Sequence, residues 1–274
     1  MVSTSQVSVC IPTFNGAGTI RQAVLSVLGQ THQNIEVVIS DDGSTDATIE
    51  SIRSIHDKRI RILEPVPRTT AAANWNRCVR ESKSNLIKVM GQDDILYPEC
   101  LRIELESMAA SQAVLCFSRR DVISQRGRIL FKDHGPRLQA GSYDILELLP
   151  LIVRSGSNPI GEPVAAMFKR TNFLQAGGFK GNYVIDVDMW IQLLDQGPAI
   201  FTAQTLSAFR VGDRSWSHQL RTSQARETVK LYNSQMIKHP HVVSRLSWIR
   251  GLCLAYIKQL LRVPAISILN FIRW

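Results

Sequence analysis

The chain reads as an α/β protein whose mostly parallel central sheet is covered by helices on both faces. Three observations predict it. Short apolar runs alternate with stretches of helical periodicity along the first 117 residues, as right-handed βαβ crossovers require. Two acidic clusters each follow the end of one such run, where open α/β sheets place their ligands. At 274 residues, with 45% hydrophobic and 20% charged side chains, the chain can bury a sizeable core.

Val7–Ile11 reads as a buried first strand closed by Pro12. Ile20, Ala23, Val24, Val27 and Leu28 then recur at helical spacing and predict an amphipathic helix over about 17–30. Glu36–Ser40 is a second strand, after which Ser44 or Thr45 can cap a helix running to about Ile55. Arg59–Leu63 gives a third strand, Ala71–Glu81 a helix and Leu86–Met90 a fourth strand. A helix over Pro98–Ala110 and a fifth strand at Val114–Phe117 follow. Residues 118–160 are less regular, with an apolar helix near Tyr143–Val153. Val164–Phe168 reads as a strand and Asp188–Leu194 as a short helix.

The net charge of +9 is unevenly spread. From Arg210 to Trp274 there are eleven Lys or Arg against two acids, Asp213 and Glu227, so residues 1–209 are neutral. That shift divides the chain into a domain over 1–209 and a basic amphipathic helical extension over 210–274. Within the domain, a half of regular strand–helix alternation covers about 1–115 and a less regular half about 116–209. In the extension Leu246, Ile249, Cys253, Tyr256, Ile257 and Leu260 share one helical face, and Arg250, Lys258 and Arg262 another. Such a helix either lies in a membrane interface or packs on the core with its basic face in water. Lys258, Arg262 and Pro264 interrupt any spanning run. A tail rich in Leu, Ile and Trp suits an anionic membrane surface better than nucleic acid. Five scattered cysteines without a Cys-x-x-Cys pair argue against a disulfide framework or zinc site and for a reducing, cytoplasmic setting. The start, Met1–Gln6, lacks the regions of a signal peptide.

The first acidic cluster is Asp41-Asp42-Gly43-Ser44 and the second Gly91-Gln92-Asp93-Asp94. Carboxylates delivered together at strand ends can hold the polar groups of a nucleotide and a divalent cation bridging its phosphates. Pro12-Thr13-Phe14-Asn15, directly after the first strand, is a turn that places Phe14 to stack on a base. Gly16-Ala17-Gly18 lacks the third glycine of a dinucleotide fingerprint, and no Gly-Lys-Ser/Thr loop is present. Rossmann cofactors and P-loop chemistry are therefore disfavoured.

The order of three segments is more specific than any one of them: Ile11–Asn15, then Ser26–Thr31, then Glu36–Asp46. Together with Gln92-Asp93-Asp94 it resembles the family-2 glycosyltransferases, inverting enzymes of the GT-A fold. The resemblance implies that Pro12, Phe14 and Asn15 meet the nucleotide sugar and that Asp42 accepts a hydrogen bond from the base. Asp41 and Asp46 fit turn-closing roles better. It also implies that Asp93 contacts the ribose and that Asp93 and Asp94 bind Mn²⁺ or Mg²⁺, although Gly91 stands where many relatives carry a first acid. Asn74-Trp75-Asn76-Arg77 occurs in a subset of the family. Trp75 is expected in the core, and one of Asn74, Asn76 or Arg77 at the donor, Asn76 being the choice here.

Tyr183–Trp190 resembles the family stretch that carries the catalytic base, which implies Asp186 as base and Asp188 as a helix cap, with Ile185 replacing an acid. Ile160-Gly161-Glu162-Pro163 matches a segment that implies acceptor binding by Glu162. Arg210–His218 is similar to a mobile segment whose basic side chains neutralise the leaving diphosphate and whose His218 completes the metal site. The activity implied is transfer from a nucleotide-diphosphate sugar, a UDP-sugar, to a hydroxyl of a glycan or lipid-linked acceptor. Such enzymes assemble surface polysaccharide at the cytoplasmic face of a membrane. Two other readings compete with it: a nucleotidyltransferase with a similar sheet, and a degenerate member that binds nucleotide or membrane without catalysis.

Overall fold

The computed structural model describes residues 5–212 and 224–271, with side chains described as far as residue 260. Its centre is β1 (Val7–Thr13), buried along its whole length. It pairs in parallel with β2 (Ile35–Asp41) on one side and β4 (Leu86–Val89) on the other. β3 (Ile60–Ile62) continues the parallel pairing beyond β2. Pro12 does not close β1: it sits buried opposite Ser40, and the pairing runs on to Thr13 and Asp41.

Antiparallel pairing enters with β9 (Ala166–Lys169), which lies between β4 and β6 (Leu115–Ile123). β10 (Ala199–Arg210) is parallel to β6 with register shifts around Thr205, and antiparallel to the short β5 (Ile95–Leu96). The strand order is β3-β2-β1-β4-β9-β6-β10-β5. β7 (Ile129–His134) pairs with β6, and β8 (Gly141–Tyr143) with β10. The order reverses about β1, so the loops after β1, β2 and β4 open side by side at one edge of the sheet.

Helices cover both faces. α1 (Ile20–Leu28), α2 (Thr48–Arg53) and α4 (Cys100–Ala109) bury Ile20, Val24, Ile52, Leu101 and Leu105 on one side. On the other, α3 (Ala71–Arg80), α5 (Ile145–Ser155), α6 (Arg170–Ala176) and α7 (Ile185–Leu194) enclose an aromatic cluster of Phe168, Phe173, Phe179 and Trp190. Trp75 packs edge-on against Phe179 at 5.2 Å, in accord with its expected place in the core.

Several local expectations differ from the structure. α2 has no side-chain cap from Ser44 or Thr45; Asp46 accepts the Thr48 N–H at 3.1 Å instead. α7 begins at Ile185, three residues early, so Asp188 lies inside its first turn. There it accepts from Gln192 at 2.6 Å and caps nothing.

The last two helices, α8 (Gln224–Lys238) and α9 (Arg245–Phe271), are packed on the domain. Leu231 and Tyr232 belong to the aromatic-side core, and the Tyr232 hydroxyl donates to the Ile152 carbonyl at 3.1 Å. α9 crosses α5 so closely that a Cβ on Gly251 would stand 2.0 Å from the Val153 carbonyl oxygen. Among the described residues no helix is long and apolar enough to cross a membrane.

Candidate active site

Three loops leave the ends of β1, β2 and β4, and side chains bind them to one another. Gln92 is the main link. Its Oε1 accepts the Phe14 N–H at 2.8 Å as well as the Thr13 hydroxyl, and its Nε2 donates to the Phe14 carbonyl at 2.9 Å. The contact needs Gly16, whose Cβ would fall 2.3 Å from Gln92 Oε1. Asn15 adopts the left-handed conformation (φ 50°), which asparagine tolerates. It donates its N–H to Ser44 Oγ at 2.9 Å and accepts the Thr45 N–H at 2.8 Å. Asp41 closes its own turn by accepting the Ser44 N–H at 2.9 Å.

Asp42 is buried at the end of β2, and its Oδ1 accepts both the backbone N–H and the hydroxyl of Thr69 at 2.7 Å. Those bonds hold the carboxylate in place and leave Oδ2 for a donor N–H from outside. Beside it the half-buried Phe14 ring carries the Arg68 guanidinium 4.1 Å from its centroid. An aromatic face, a cation and a fixed acceptor are the groups that suit a planar base.

Asp93 and Asp94 follow β4. Each has a carboxylate oxygen 2.8 Å from the point where a Cβ on Gly91 would lie, so the two converge over that glycine. Asp94 Oδ2 accepts the Gly91 N–H at 3.0 Å and Oδ1 the Arg210 N–H at 3.1 Å. Burial, then the neighbouring Asp93 charge, pushes the Asp94 carboxyl well above its ordinary range. Burial also raises Asp93, against the pull of Arg210. Two carboxylates that resist ionisation together form a fitting pair for a divalent cation, which relieves their repulsion. A third acid at position 91 would collide with both. Among the described residues no group of three or more His, Cys, Asp or Glu side chains could hold a metal. A cation here would depend on Asp93, Asp94 and oxygens brought by a ligand.

Asp186 stands on the first turn of α7, half-buried. Its Oδ1 accepts the Val187 N–H at 2.8 Å and its Oδ2 the Asn158 amide at 2.9 Å. Burial first, and the Glu162 charge second, raise its carboxyl to about 7. Glu162 is held by the buried Arg120 at 2.5 Å, and its charge raises Asp94 too. Glu162 thus stands near enough to both Asp94 and Asp186 for its charge to raise each carboxyl.

Two sequence-based assignments change. Asn76 does not face this cleft: its amide is bonded in both directions to Phe179, accepting its N–H at 2.7 Å and donating to its carbonyl at 2.9 Å. That pairing anchors the left-handed Gly177-Gly178 turn. Arg210 is buried and not available to a diphosphate. It donates to the backbone of Asp93, Ser124 and Gln125 and to Gln22 Oε1. His218 lies outside the described residues. Gln92, Arg68, Arg120 and Asn158 were not singled out from the sequence. Gln92 offered the clearest signal, since it sits inside the second acidic cluster.

The sequence model described as glycosyl transferase family 2 matches residues 8–174, more than half of the chain. The chain belongs to glycosyl transferase family 2. Family relatives include the uncharacterized protein MT1568 of Mycobacterium tuberculosis (strain CDC 1551 / Oshkosh), 30% identical over 221 residues, or 74% of this chain and 66% of that protein. The succinoglycan biosynthesis protein ExoO of Rhizobium meliloti is 32% identical over 45% of this chain and 36% of its own length. The chain therefore spans less than two thirds of these curated relatives. S. aureus TarS 1–349 in complex with UDP-GlcNAc superposes with a TM-score of 0.69 at 12% identity, covering 93% of this chain and 72% of that one. The mannosyltransferase PcManGT from Pyrobaculum calidifontis, in complex with GDP-Man and Mn²⁺, gives 0.64 at 18% identity, covering 93% and 70%. At these identities the likeness is one of fold, and it is the GT-A-like α/β architecture.

Proposed function

We propose that the chain is an inverting glycosyltransferase that moves a sugar from a UDP-sugar to a hydroxyl of a glycan or lipid-linked acceptor, in the synthesis of surface polysaccharide. One observation carries the reading: Glu162 stands near enough to both Asp94 and Asp186 for its charge to raise each carboxyl, which supports a cleft shared by the acidic pair and a separate carboxylate. The fold neighbours solved with UDP-GlcNAc and with GDP-Man support a nucleotide-sugar donor. The relative named for succinoglycan biosynthesis supports a polysaccharide product.

In this reading Phe14 stacks on the base, Asp42 Oδ2 accepts its N–H, and Asn15 keeps the two base-side loops in register. Asp93 would meet the ribose, and Asp93 and Asp94 would hold a Mn²⁺ or Mg²⁺ ion. A bound cation would neutralise charge developing on the leaving diphosphate. Asp186 takes the proton of the acceptor hydroxyl as that oxygen bonds to the anomeric carbon. The bond from that carbon to the diphosphate breaks on the opposite side, and its electron pair leaves with UDP. A carboxyl near 7 is ionised often enough at neutral pH, and basic enough, to serve as general base. Glu162, 28% exposed beside its Arg120 partner, is assigned in this reading to the acceptor hydroxyls.

The extension supports peripheral attachment to an anionic membrane on its cytoplasmic face. Leu246, Ile249, Tyr256, Ile257 and Leu260 of α9 are turned outward.

A thermal-shift screen of UDP-, GDP- and dTDP-sugars with and without Mn²⁺ tests the donor, followed by a transfer assay with wild type and Asp186→Asn. UDP-sugars are expected to stabilise both proteins in Mn²⁺, with transfer by wild type alone. Stabilisation by GDP-sugars only would overturn the choice of base. Binding without donor hydrolysis or transfer by wild type would make the chain a non-catalytic member.

A further inference from the structure

The turn between α5 and β9 carries a polar arrangement to which neither acidic cluster contributes. Asn158, half-buried, makes three bonds through one amide. Its Oδ1 accepts the Gly161 N–H at 3.0 Å, and its Nδ2 donates to the Gly161 carbonyl at 2.7 Å and to Asp186 Oδ2 at 2.9 Å. The first two close the turn, and the third reaches 28 residues along the chain to the first turn of α7. Gly161 is fixed from other sides as well. Its φ of 111° suits only glycine, and a Cβ there would meet Arg120 Nη1 at 2.7 Å. Trp190 Nε1 donates to its carbonyl at 2.9 Å. The Asn158 amide therefore cannot rotate away from Asp186 without opening the turn.

We propose that Asn158 is a positioning residue for Asp186, aiming its carboxylate into the cleft and favouring its ionised form. This rests on the reading of Asp186 as the base. With one N–H on each oxygen, the carboxylate is fixed in orientation and still has a free lone-pair direction for an acceptor hydroxyl. A hydrogen bond donated to the charged form favours that form. Glu162, four residues along the same turn, opposes it by charge, and Arg120 pairs with Glu162. Asp188, on Asp186's own helix, is bonded to Gln192. One short turn thus brings a stabilising donor and an opposing charge to the same carboxylate.

The test is a ¹³C carboxyl titration of the full chain between about pH 4 and pH 9, with the Asp186 signal identified by its loss in Asp186→Asn. Asn158→Ser retains an oxygen able to close the turn but is too short to reach Asp186. Asn158→Asp removes the donor and adds a like charge. The Asp186 midpoint is expected to rise by about half a unit or more in the serine variant and further in the aspartate variant. Stabilisation by UDP, used as a check on the fold, is expected to match wild type. An unmoved midpoint in both variants would reduce Asn158 to a turn-closing residue and overturn the proposal. Transfer retained by Asp186→Asn would remove the base assignment instead, and that result is separate from the titration.

Discussion

Gln92 and Phe14 are bonded in both directions: the Phe14 N–H donates to Gln92 Oε1 at 2.8 Å, and Gln92 Nε2 donates to the Phe14 carbonyl at 2.9 Å. A side chain of the second acidic cluster thereby sets the backbone of the loop that carries the Phe14 ring, proposed to stack on the base. Gln92→Ala removes both bonds and the one accepted from the Thr13 hydroxyl, each worth about 1 kcal/mol. Calorimetry is expected to show UDP binding weakened by about tenfold, and the melting temperature is expected to fall by a few degrees. Unchanged affinity would mean that Phe14 is held by its own loop.

Beneath the acidic pair, Lys88 on β4 and Glu104 on α4 form an ion pair with both side chains fully buried, Nζ lying 2.6 Å and 2.8 Å from the two carboxylate oxygens. Removing one partner strands a charge in the core. Lys88→Met is expected to cost about 3–5 kcal/mol in denaturant unfolding. Lys88→Met with Glu104→Leu removes both charges and is expected to recover most of that loss. A double variant no more stable than the single one would show that the pair matters for packing rather than charge.

The raised Asp186 carboxyl has a definite sign in stability. Between its ordinary value of 3.8 and about 7 the folded chain holds a proton that the unfolded chain releases. Its contribution to stability therefore falls as pH rises through that window and levels off above it. Asp186→Asn removes the penalty. It is expected to be more stable than wild type at pH 8 by about 1–2 kcal/mol and to match it near pH 4. Transfer by wild type should climb through pH 7 as the base ionises. Denaturation curves at the two pH values and a pH–rate profile check both halves. A variant no more stable at pH 8 would mean that Asp186 is better hydrated than its surroundings indicate.

The parallel half of the sheet was legible because its strands are short, mainly apolar runs followed by turn residues, β3 and β4 each admitting one basic side chain. β5, β7, β8 and β10 were not. β5 has two residues, β7 is largely exposed, and β10 is a long strand mixing polar side chains with a register shift near Thr205. None presents a strict period of 2 or a continuous apolar run. Site residues that act by their own charge, such as Asp42 and Asp94, stood out in the sequence. Those that act by holding something else did not. Gln92, Arg120 and Asn158 are defined by partners 78, 42 and 28 residues away. Asn76 erred for the same reason, its partner Phe179 lying 103 residues on.

The extension posed a choice that periodicity could not decide, since one apolar face serves equally for a core or a membrane. The structure packs the other side: Gly251 and Ala255 are buried, Trp248 and Leu252 lie against the core, and Lys258 donates to the Ser155 carbonyl at 2.8 Å. Leu246 and Leu260 are 78% and 74% exposed at opposite ends of the outward stripe, with Arg245 and Arg250 exposed beside it. Truncating α9 would uncover α5, so substitution on the outer face is the sound test. Replacing Leu246, Ile249 and Leu260 together by serine forfeits about 1 kcal/mol of lipid burial at each position. Partitioning onto phosphatidylglycerol vesicles is expected to fall by about a hundredfold, with melting temperature unchanged. Wild type is expected to bind phosphatidylcholine vesicles far more weakly and to leave the anionic ones as salt rises. Equal partitioning of variant and wild type would assign the stripe to some other contact.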